Sequence, residues 1–317
     1  MSQYRQGGLI VSTSPHIIDD ISTTKIMRDV LIALVPAFVM SAVIFGPRAV
    51  LLTVTCVVSC VAFEAIFRYI TRRGNTVGDL SAVVTGVLLS FNLPSSLPYW
   101  MAVVGSFVAI VIVKQLFGGL GQNFANPAIT ARVVLLVSFA TPMTTWPLPE
   151  QILRTTDAVT GATPLALFAE GRMAELPSYS DLFLGFVGGS LGETSALALL
   201  IGGIYLLARR IITPEIPLAF LGTVAVMALI AGTDPLFHLL SGGVMLGAIF
   251  MATDYATSPL TSRGKIIYGI GCGLLTMVIR LYGSYPEGVS YAILLMNILT
   301  PHIDNLTGRS LYGGMKV

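Results

Sequence analysis

The chain has 317 residues, of which 54% are hydrophobic and only 11% charged, and its mean hydropathy is +0.82. A soluble domain usually carries about 25% charged residues, so this composition belongs to an integral membrane protein. The net charge of +2 is spread in small groups with no basic block, which excludes a nucleic-acid partner.

Met1 to Asp29 is polar and lacks the apolar core and small-residue cleavage site of a signal peptide. The first apolar run, Val30–Phe45, is therefore expected to stay as a membrane anchor. Further runs follow at Ala49–Phe67, Leu80–Leu93, Leu97–Phe117, Pro127–Ala140, Gly188–Ala208, Pro217–Ala231, Leu236–Thr253, Ile266–Leu281 and Gly288–Thr300, which makes ten candidate spans. Several are shorter than the roughly 20 residues that a perpendicular spanning helix needs, so they are expected to be broken or sheltered by neighbours. Leu182–Gly189 is a candidate for a separate half-helix.

The basic residues orient these spans. With a cytoplasmic N-terminus, one side receives Arg5, Lys25, Arg28, Arg68, Arg72, Arg73, Lys114, Arg132, Arg209, Arg210, Arg263, Lys265, Arg309 and Lys316. The other side receives Arg48, Arg154, Arg172 and Arg280. Such asymmetry places both termini in the cytoplasm and the interval Thr141–Ser180 outside.

Internal repetition divides the chain. Val111 to Gly118 in the fourth span resembles Met277 to Gly283 in the ninth, and Asp79 with Thr85 to Leu89 in the third echoes Asp234 with Gly242 to Leu246 in the eighth. Matches five spans apart imply two five-helix halves of inverted orientation, with a binding site near their interface. The expected fold is all-α and polytopic. Its segments are a cytoplasmic stretch over 1–29, a first repeat over 30–140, an external loop over 141–180, a second repeat over 181–300 and a cytoplasmic tail over 301–317.

Polar features concentrate at a few points. Gly118 to Pro127 joins spans four and five; Gly119 and its neighbours permit close backbone approach, and Asn123 and Asn126 offer donors and acceptors to a planar group such as a flavin. The competing reading is a tight connection in which Asn126 caps the helix beginning at Pro127. Glu64, Glu193 and Asp254 are acids in or beside apolar runs and hence candidates for an ion path, although Glu193 near a helix start can instead complement the dipole. Arg280 is a cation in an apolar run and requires a partner, such as Glu193 or a bound phosphate. Cys56, Cys60 and Cys272 read as packing residues with no metal-ligand spacing. His238 reads as a packing residue too.

The long polar interval holds Asp157-Ala158-Val159-Thr160-Gly161-Ala162-Thr163-Pro164-Leu165. Gly161 and Ala162 are small and leave the Thr163 hydroxyl open to covalent modification, while Pro164 drives Thr163 to an extended conformation. A turn before a short helix over Leu165–Ala169 is the plain alternative, and Thr160 is the competing acceptor.

Several strings together resemble one family: Ser14-Pro15-His16-Ile17, Ile26 through Ala37, the Gly118–Pro127 loop, Gly192-Glu193-Thr194-Ser195, Ala252-Thr253-Asp254 through Ser258-Pro259, and Tyr285 through Asn297. The chain is similar, nearly end to end, to the D subunit of the Rnf electron-transport complex, a relative of the B subunit of the Na⁺-translocating NADH:quinone reductase, Nqr. The resemblance implies FMN bound covalently to Thr163 as a phosphoester, installed by a flavin transferase from FAD, and a second, non-covalent riboflavin for which the Gly118–Asn126 loop is suited. It implies an electron relay in a bacterial cell membrane, surrounded by lipid and by Rnf subunits of the A, B, C, E and G types, in a complex linking ferredoxin and NAD⁺ to Na⁺ or H⁺ transport. This chain has no dinucleotide fingerprint and no cysteine cluster, so ferredoxin and NAD⁺ chemistry is expected in those partners. Two alternatives stay open. One is an Nqr-type B subunit, which would have a longer extension than the 29 or so polar residues before span one; the other is a ten-span channel or transporter with Thr163 unmodified.

Overall fold

In the computed structural model, residues 4–6, 9–11, 22–74, 76–147, 160–283 and 288–308 are described. Two short strands, β1 (Tyr4–Gln6) and β2 (Leu9–Val11), pair antiparallel ahead of the helices. Helix α1 (Thr23–Phe45) starts at Ser22, whose hydroxyl accepts the Lys25 amide hydrogen, and stops at Gly46. Gly46 has φ +68°, and Pro47 begins α2 (Pro47–Ile70) immediately after it. A left-handed glycine followed by a proline at the first helical position reverses the chain in one step.

Many of the later helices are interrupted, as the short apolar runs imply. A 3₁₀ turn at Val77–Asp79 and a left-handed Leu80 lead into α3 (Ser81–Phe91), which ends at Asn92. Helix α4 (Tyr99–Phe107) continues in wider π turns over Val108–Gln115. Next come α5 (Pro127–Ser138), α6 (Ala140–Met143), strand β3 (Trp146–Pro147), strand β4 (Thr160–Gly161) and α7 (Pro164–Ala169). Helix α8 (Tyr179–Leu184) ends at Gly185 (φ +105°), so the half-helix expected over Leu182–Gly189 lies earlier in the chain. The sixth apolar run is helical only in α9 (Ala196–Ala208), because the glycines and polar residues from Gly188 to Ser195 form turns instead. After α10 (Glu215–Ile230), the eighth run splits into α11 (Pro235–Leu240) and α12 (Val244–Leu246) with π turns over Gly247–Met251; Gly242 and Gly243, both at positive φ, separate the two. Helices α13 (Ser262–Tyr282) and α14 (Val289–Thr307) close the described fold. Among the described residues, α1, α2 and α13 are each long and apolar enough to cross a membrane.

Helices in lipid gain little from apolar burial against each other, so close approach through small residues does much of the packing. Gly269 and Gly273 of α13 lie against the backbone of α10 at Ile216 and Phe220. Gly202 of α9 lies against α1, where an added Cβ would stand 2.1 Å from the Ala33 carbonyl oxygen. Asp29 of α1, buried at 7% exposure, accepts from the Tyr205 hydroxyl at 3.1 Å and from Arg209 at 3.3 Å, fastening the same pair of helices. The Gly202→Val substitution is therefore expected to wedge α1 from α9 and to destabilise the fold by about 1–3 kcal/mol or more. A lower melting temperature of the detergent-purified subunit is the readout; an unchanged one would contradict the tight contact.

Candidate functional site

Thr163 stands between two broken parts of the fold. It is extended (φ −67°, ψ 158°), as expected before Pro164, and its hydroxyl accepts the Ala166 amide hydrogen at 3.2 Å to cap α7. The side chain is 5% exposed. It is thus a buried, helix-capping hydroxyl rather than an open one on the surface, and the short helix after it is present. Capping occupies one lone pair and leaves the O–H hydrogen for another partner. Antiparallel pairing of β4 with β3, with Gly161 opposite Trp146 and Thr160 opposite Pro147, ties the segment to the end of the first group of helices. Asp157 and the Thr160 side chain lie outside the described residues.

A cavity of about 400 Å³ opens beside Thr163. Gly161, Ala162, Thr163 and Ala166 form one wall, Trp146 and Tyr291 supply aromatic surface, and Arg132 and Leu136 of α5 form another wall. Its volume falls in the range of enclosed sites for ligands of cofactor size. Glu170 also lines it and pairs with Arg172 at 3.2 Å. Arg172, hydrogen-bonded to Glu175 and then Glu170, binds its proton more tightly than usual, but this pair is exposed and contributes little to stability.

What lies behind this cavity has no counterpart among the sequence expectations. Arg132, which the topology groups with the cytoplasmic-side cations, is 4% exposed inside the bundle. It donates to Asn92 Oδ1 at 2.9 Å and to Ser190 Oγ at 3.4 Å, with Glu193 Oε2 at 3.8 Å. Glu193 Oε1 accepts the Ser190 amide hydrogen at 3.0 Å, which holds the turn ahead of α9. Glu193 and Thr163 also share a smaller chamber of about 20 Å³.

Arg280 is placed differently from expectation. Its guanidinium donates to the carbonyls of His238 (2.7 Å), Ser241 (2.8 Å) and Gly242 (2.7 Å) at the break between α11 and α12. The cation near Glu193 is Arg132, because the break leaves carbonyls without helical donors and Arg280 is the side chain that reaches them. His238 is fully buried and packs edge-on against Phe168 and Phe237.

A second cavity, of about 100 Å³, is lined by Asn123, Asn126, Ser81, Thr85, Lys114 and Asp254 among others. Asn126 caps α5, accepting from Ala128 N (3.0 Å) and Ile129 N (3.3 Å), while its amide donates to the Met251 carbonyl at 3.3 Å. Asn123 donates to the Ala125 carbonyl at 3.0 Å. Gly119 lies away from this cavity against Arg68, whose Nη2 would be 2.7 Å from an added Cβ. Glu64 is held in a buried pair with Lys114 at 2.7 Å and accepts from Thr76 at 2.6 Å. Lys114 also donates to Ser81 Oγ at 2.6 Å. Asp254 accepts from Thr257 at 3.1 Å. The structure therefore brings Gly161, Ala162 and Thr163 together at one cavity and Asn123, Asn126 and Asp254 at another.

The chain is similar to proteins of one family along nearly its whole length. The model of the NQR2, RnfD, RnfE family matches residues 10–313. The chain is 55% identical over 311 residues to the D subunit of the Na⁺-translocating ferredoxin:NAD⁺ oxidoreductase complex of Acetobacterium woodii, covering 98% of this chain and 96% of that one. It is 41% identical over 327 residues to the D subunit of the proton-translocating ferredoxin:NAD⁺ oxidoreductase complex of Clostridium ljungdahlii, covering 98% of each. The D subunit of the ion-translocating oxidoreductase complex of Stutzerimonas stutzeri is 44% identical over 331 residues, with 92% of each chain covered.

The arginine at the α11–α12 break yields a prediction about stability. In Arg280→Gln, fewer donors face three carbonyls, two of them in buried contacts, and leaving buried acceptors unpaired costs about 1–3 kcal/mol each. The variant is expected to melt well below the parent in detergent, with Arg280→Lys in between. Equal melting temperatures for all three would show that the carbonyls find other partners.

Proposed function

The chain belongs to the NQR2, RnfD, RnfE family, and on that premise we propose that it is the D-type, flavin-carrying membrane subunit of an ion-translocating ferredoxin:NAD⁺ oxidoreductase. The observation that carries the reading is the hydroxyl of Thr163, the last residue of Thr160-Gly161-Ala162-Thr163, at the wall of a cavity of about 400 Å³ beside Trp146 and Tyr291. Thr163 is the acceptor for FMN, delivered by a flavin transferase from FAD. In that step the Thr163 oxygen forms a bond to phosphorus as the pyrophosphate bond of FAD breaks, AMP leaves, and the hydroxyl proton passes to solvent. Attached flavin supplies one- and two-electron transfer. The chain's own residues do the rest: Gly161 and Ala162 keep the approach to the hydroxyl narrow but unobstructed, the aromatic walls exclude water, and the covalent tether replaces tight binding with a high local concentration.

A second, non-covalent riboflavin is proposed at the Asn123 cavity. At about 100 Å³ that cavity encloses less than a whole ring system. The site is therefore read as one shared with a neighbouring subunit of the complex, with Asn123 facing the ring, and no step is derived through it. In the proposed topology ten crossings form two inverted halves in a bacterial cell membrane, both termini are cytoplasmic and the Thr163 loop lies outside. Support comes from the burial of Lys114 and Arg280, the two cations matched in the repeat, each bonded beside a left-handed residue that opens a half-helix: Lys114 at Ser81 after Leu80, and Arg280 at Gly242 before Gly243. The coupled ion is Na⁺ or H⁺, with Glu64, Glu193 and Asp254 as the acids nearest a path.

Thr163→Ala is expected to abolish in-gel flavin fluorescence of this subunit and to stop ferredoxin:NAD⁺ electron transfer in the assembled complex, while Thr160→Ala keeps flavin. Peptide mass spectrometry of protein made with and without the transferase decides the matter. A Thr163 peptide lacking the FMN mass in the active complex refutes the assignment. Separately, Asn123→Ala is expected to lower the riboflavin recovered from denatured complex severalfold while sparing covalent flavin; unchanged recovery removes the second site.

A further inference from the structure

We propose that Arg132 is the cationic partner of the phosphate that Thr163 acquires, and that Asn92 and Ser190 position it for that role. The inference rests on covalent attachment at Thr163. Among the described residues lining the large cavity, Arg132 is the one cation. Its direction is set from two sides, by Asn92 Oδ1 at the end of α3 (2.9 Å) and by Ser190 Oγ in the turn before α9 (3.4 Å). Thr163 shares the large cavity with Arg132 and the small chamber with Glu193, and those two residues are 3.8 Å apart. Thr163 thus lines both the space bordered by Arg132 and the one bordered by Glu193, at a shared corner of the fold.

Charge makes the corner specific. Glu193 Oε2 is buried without a hydrogen-bond donor among the described residues, and the cation beside it there is Arg132 at 3.8 Å. A phosphodiester on Thr163 keeps one negative charge and would bring a second anion to this place. Two like charges in a low dielectric repel strongly, and only a cation held between them makes the placement stable. A guanidinium, with five N–H donors in a planar fork, suits phosphate oxygens and a carboxylate together. Arg280, the other buried arginine close by, is directed at the carbonyls of the α11–α12 break.

The test is the rate of flavin attachment to the full-length subunit in membranes supplied with flavin transferase and FAD, read by intact mass. Charge-assisted hydrogen bonds contribute an order of magnitude or more to an equilibrium, so Arg132→Gln is expected to lower the initial rate about tenfold or more, and Arg132→Lys to keep most of it. Glu193→Gln removes the competing anion and should leave attachment undiminished. The double variant Arg132→Gln/Glu193→Gln should recover part of the loss, because the phosphate no longer faces a carboxylate. A purely structural arginine predicts the opposite order, with the double variant no better than Arg132→Gln and the lysine variant as poor. That pattern, or wild-type attachment in Arg132→Gln, overturns the proposal. If Arg132→Gln does not accumulate, the ranking of Arg132→Lys, Glu193→Gln and the double variant decides by the same criteria. A wild-type subunit unmodified at Thr163 would bring down the functional reading and this inference with it, whereas modified wild type with an indifferent Arg132 removes the inference alone.

Discussion

Backbone groups at the helix breaks need partners that an apolar environment does not supply, and this requirement shapes the interior of the protein. The break after α3 is closed by the turn before α9: the Leu191 amide donates to the Leu93 carbonyl and the Gly192 amide to the Phe91 carbonyl, each at 3.0 Å. The space is tight enough that a Cβ at Gly192 would stand 2.2 Å from the Phe91 ring. At the α11–α12 break the partner is Arg280, and at the start of α5 it is Asn126. Each repair places a polar side chain or an unwound segment deep in an oily bundle, and the two cavities lie beside those places.

Buried charge follows from the same constraint. An ion taken out of water is tolerated only with close, well-oriented partners, and Lys114 has Glu64 at 2.7 Å and Ser81 at 2.6 Å. Ser81 in turn donates to Asp79 at 2.5 Å, so the cation is enclosed by a chain of acceptors. Among the described residues the carboxylate nearest Arg132 is that of Glu193 at 3.8 Å, beside the neutral acceptors of Asn92 and Ser190. A pair that fixes the π turns after α4 against α2 and α3 thus differs from one that borders a cavity.

Composition and run length reveal the membrane class and the interrupted helices, since apolarity and span length are local properties of the chain. Pro164 announces the extended Thr163, and Pro127 after Asn126 announces the α5 cap, because proline and a capping side chain act within three residues. Arg132 is hidden for a physical reason. A cation a few residues from a helix end looks like a loop or interface residue when only the sequence is seen, and its partners Asn92, Ser190 and Glu193 lie 40, 58 and 61 positions away. The partner of Arg280 is missed for a related reason: charge complementarity suggests a carboxylate, but the acceptors are main-chain carbonyls, which carry no sequence signature. Thr163 is legible in its extended backbone and not in its burial, which depends on β3 and on the glycine break at Gly242, where Leu165 fills the space a side chain would need.

Helix α5 carries the start of one cavity and the wall of the other. Asn126 caps it and Arg132 follows six residues later, a rise of about 9 Å at 1.5 Å per residue. Between them runs a bonded set that draws on both halves of the chain. Asn126 donates to the Met251 carbonyl, Asn92 donates to Met251 sulfur at 3.6 Å, and Arg132 donates to Asn92. Two unit charges about 9 Å apart interact by about 2 kcal/mol at an effective dielectric of 20, and salt reaches a buried pair poorly. A unit charge beside Arg132 would therefore act on one beside Asn126 along α5 without any movement of the helix. The residues between them are held in one arrangement by hydrogen bonds, so little of that energy is lost to reorientation. In this chain α5 is such a rigid, weakly screened span between the two cavities.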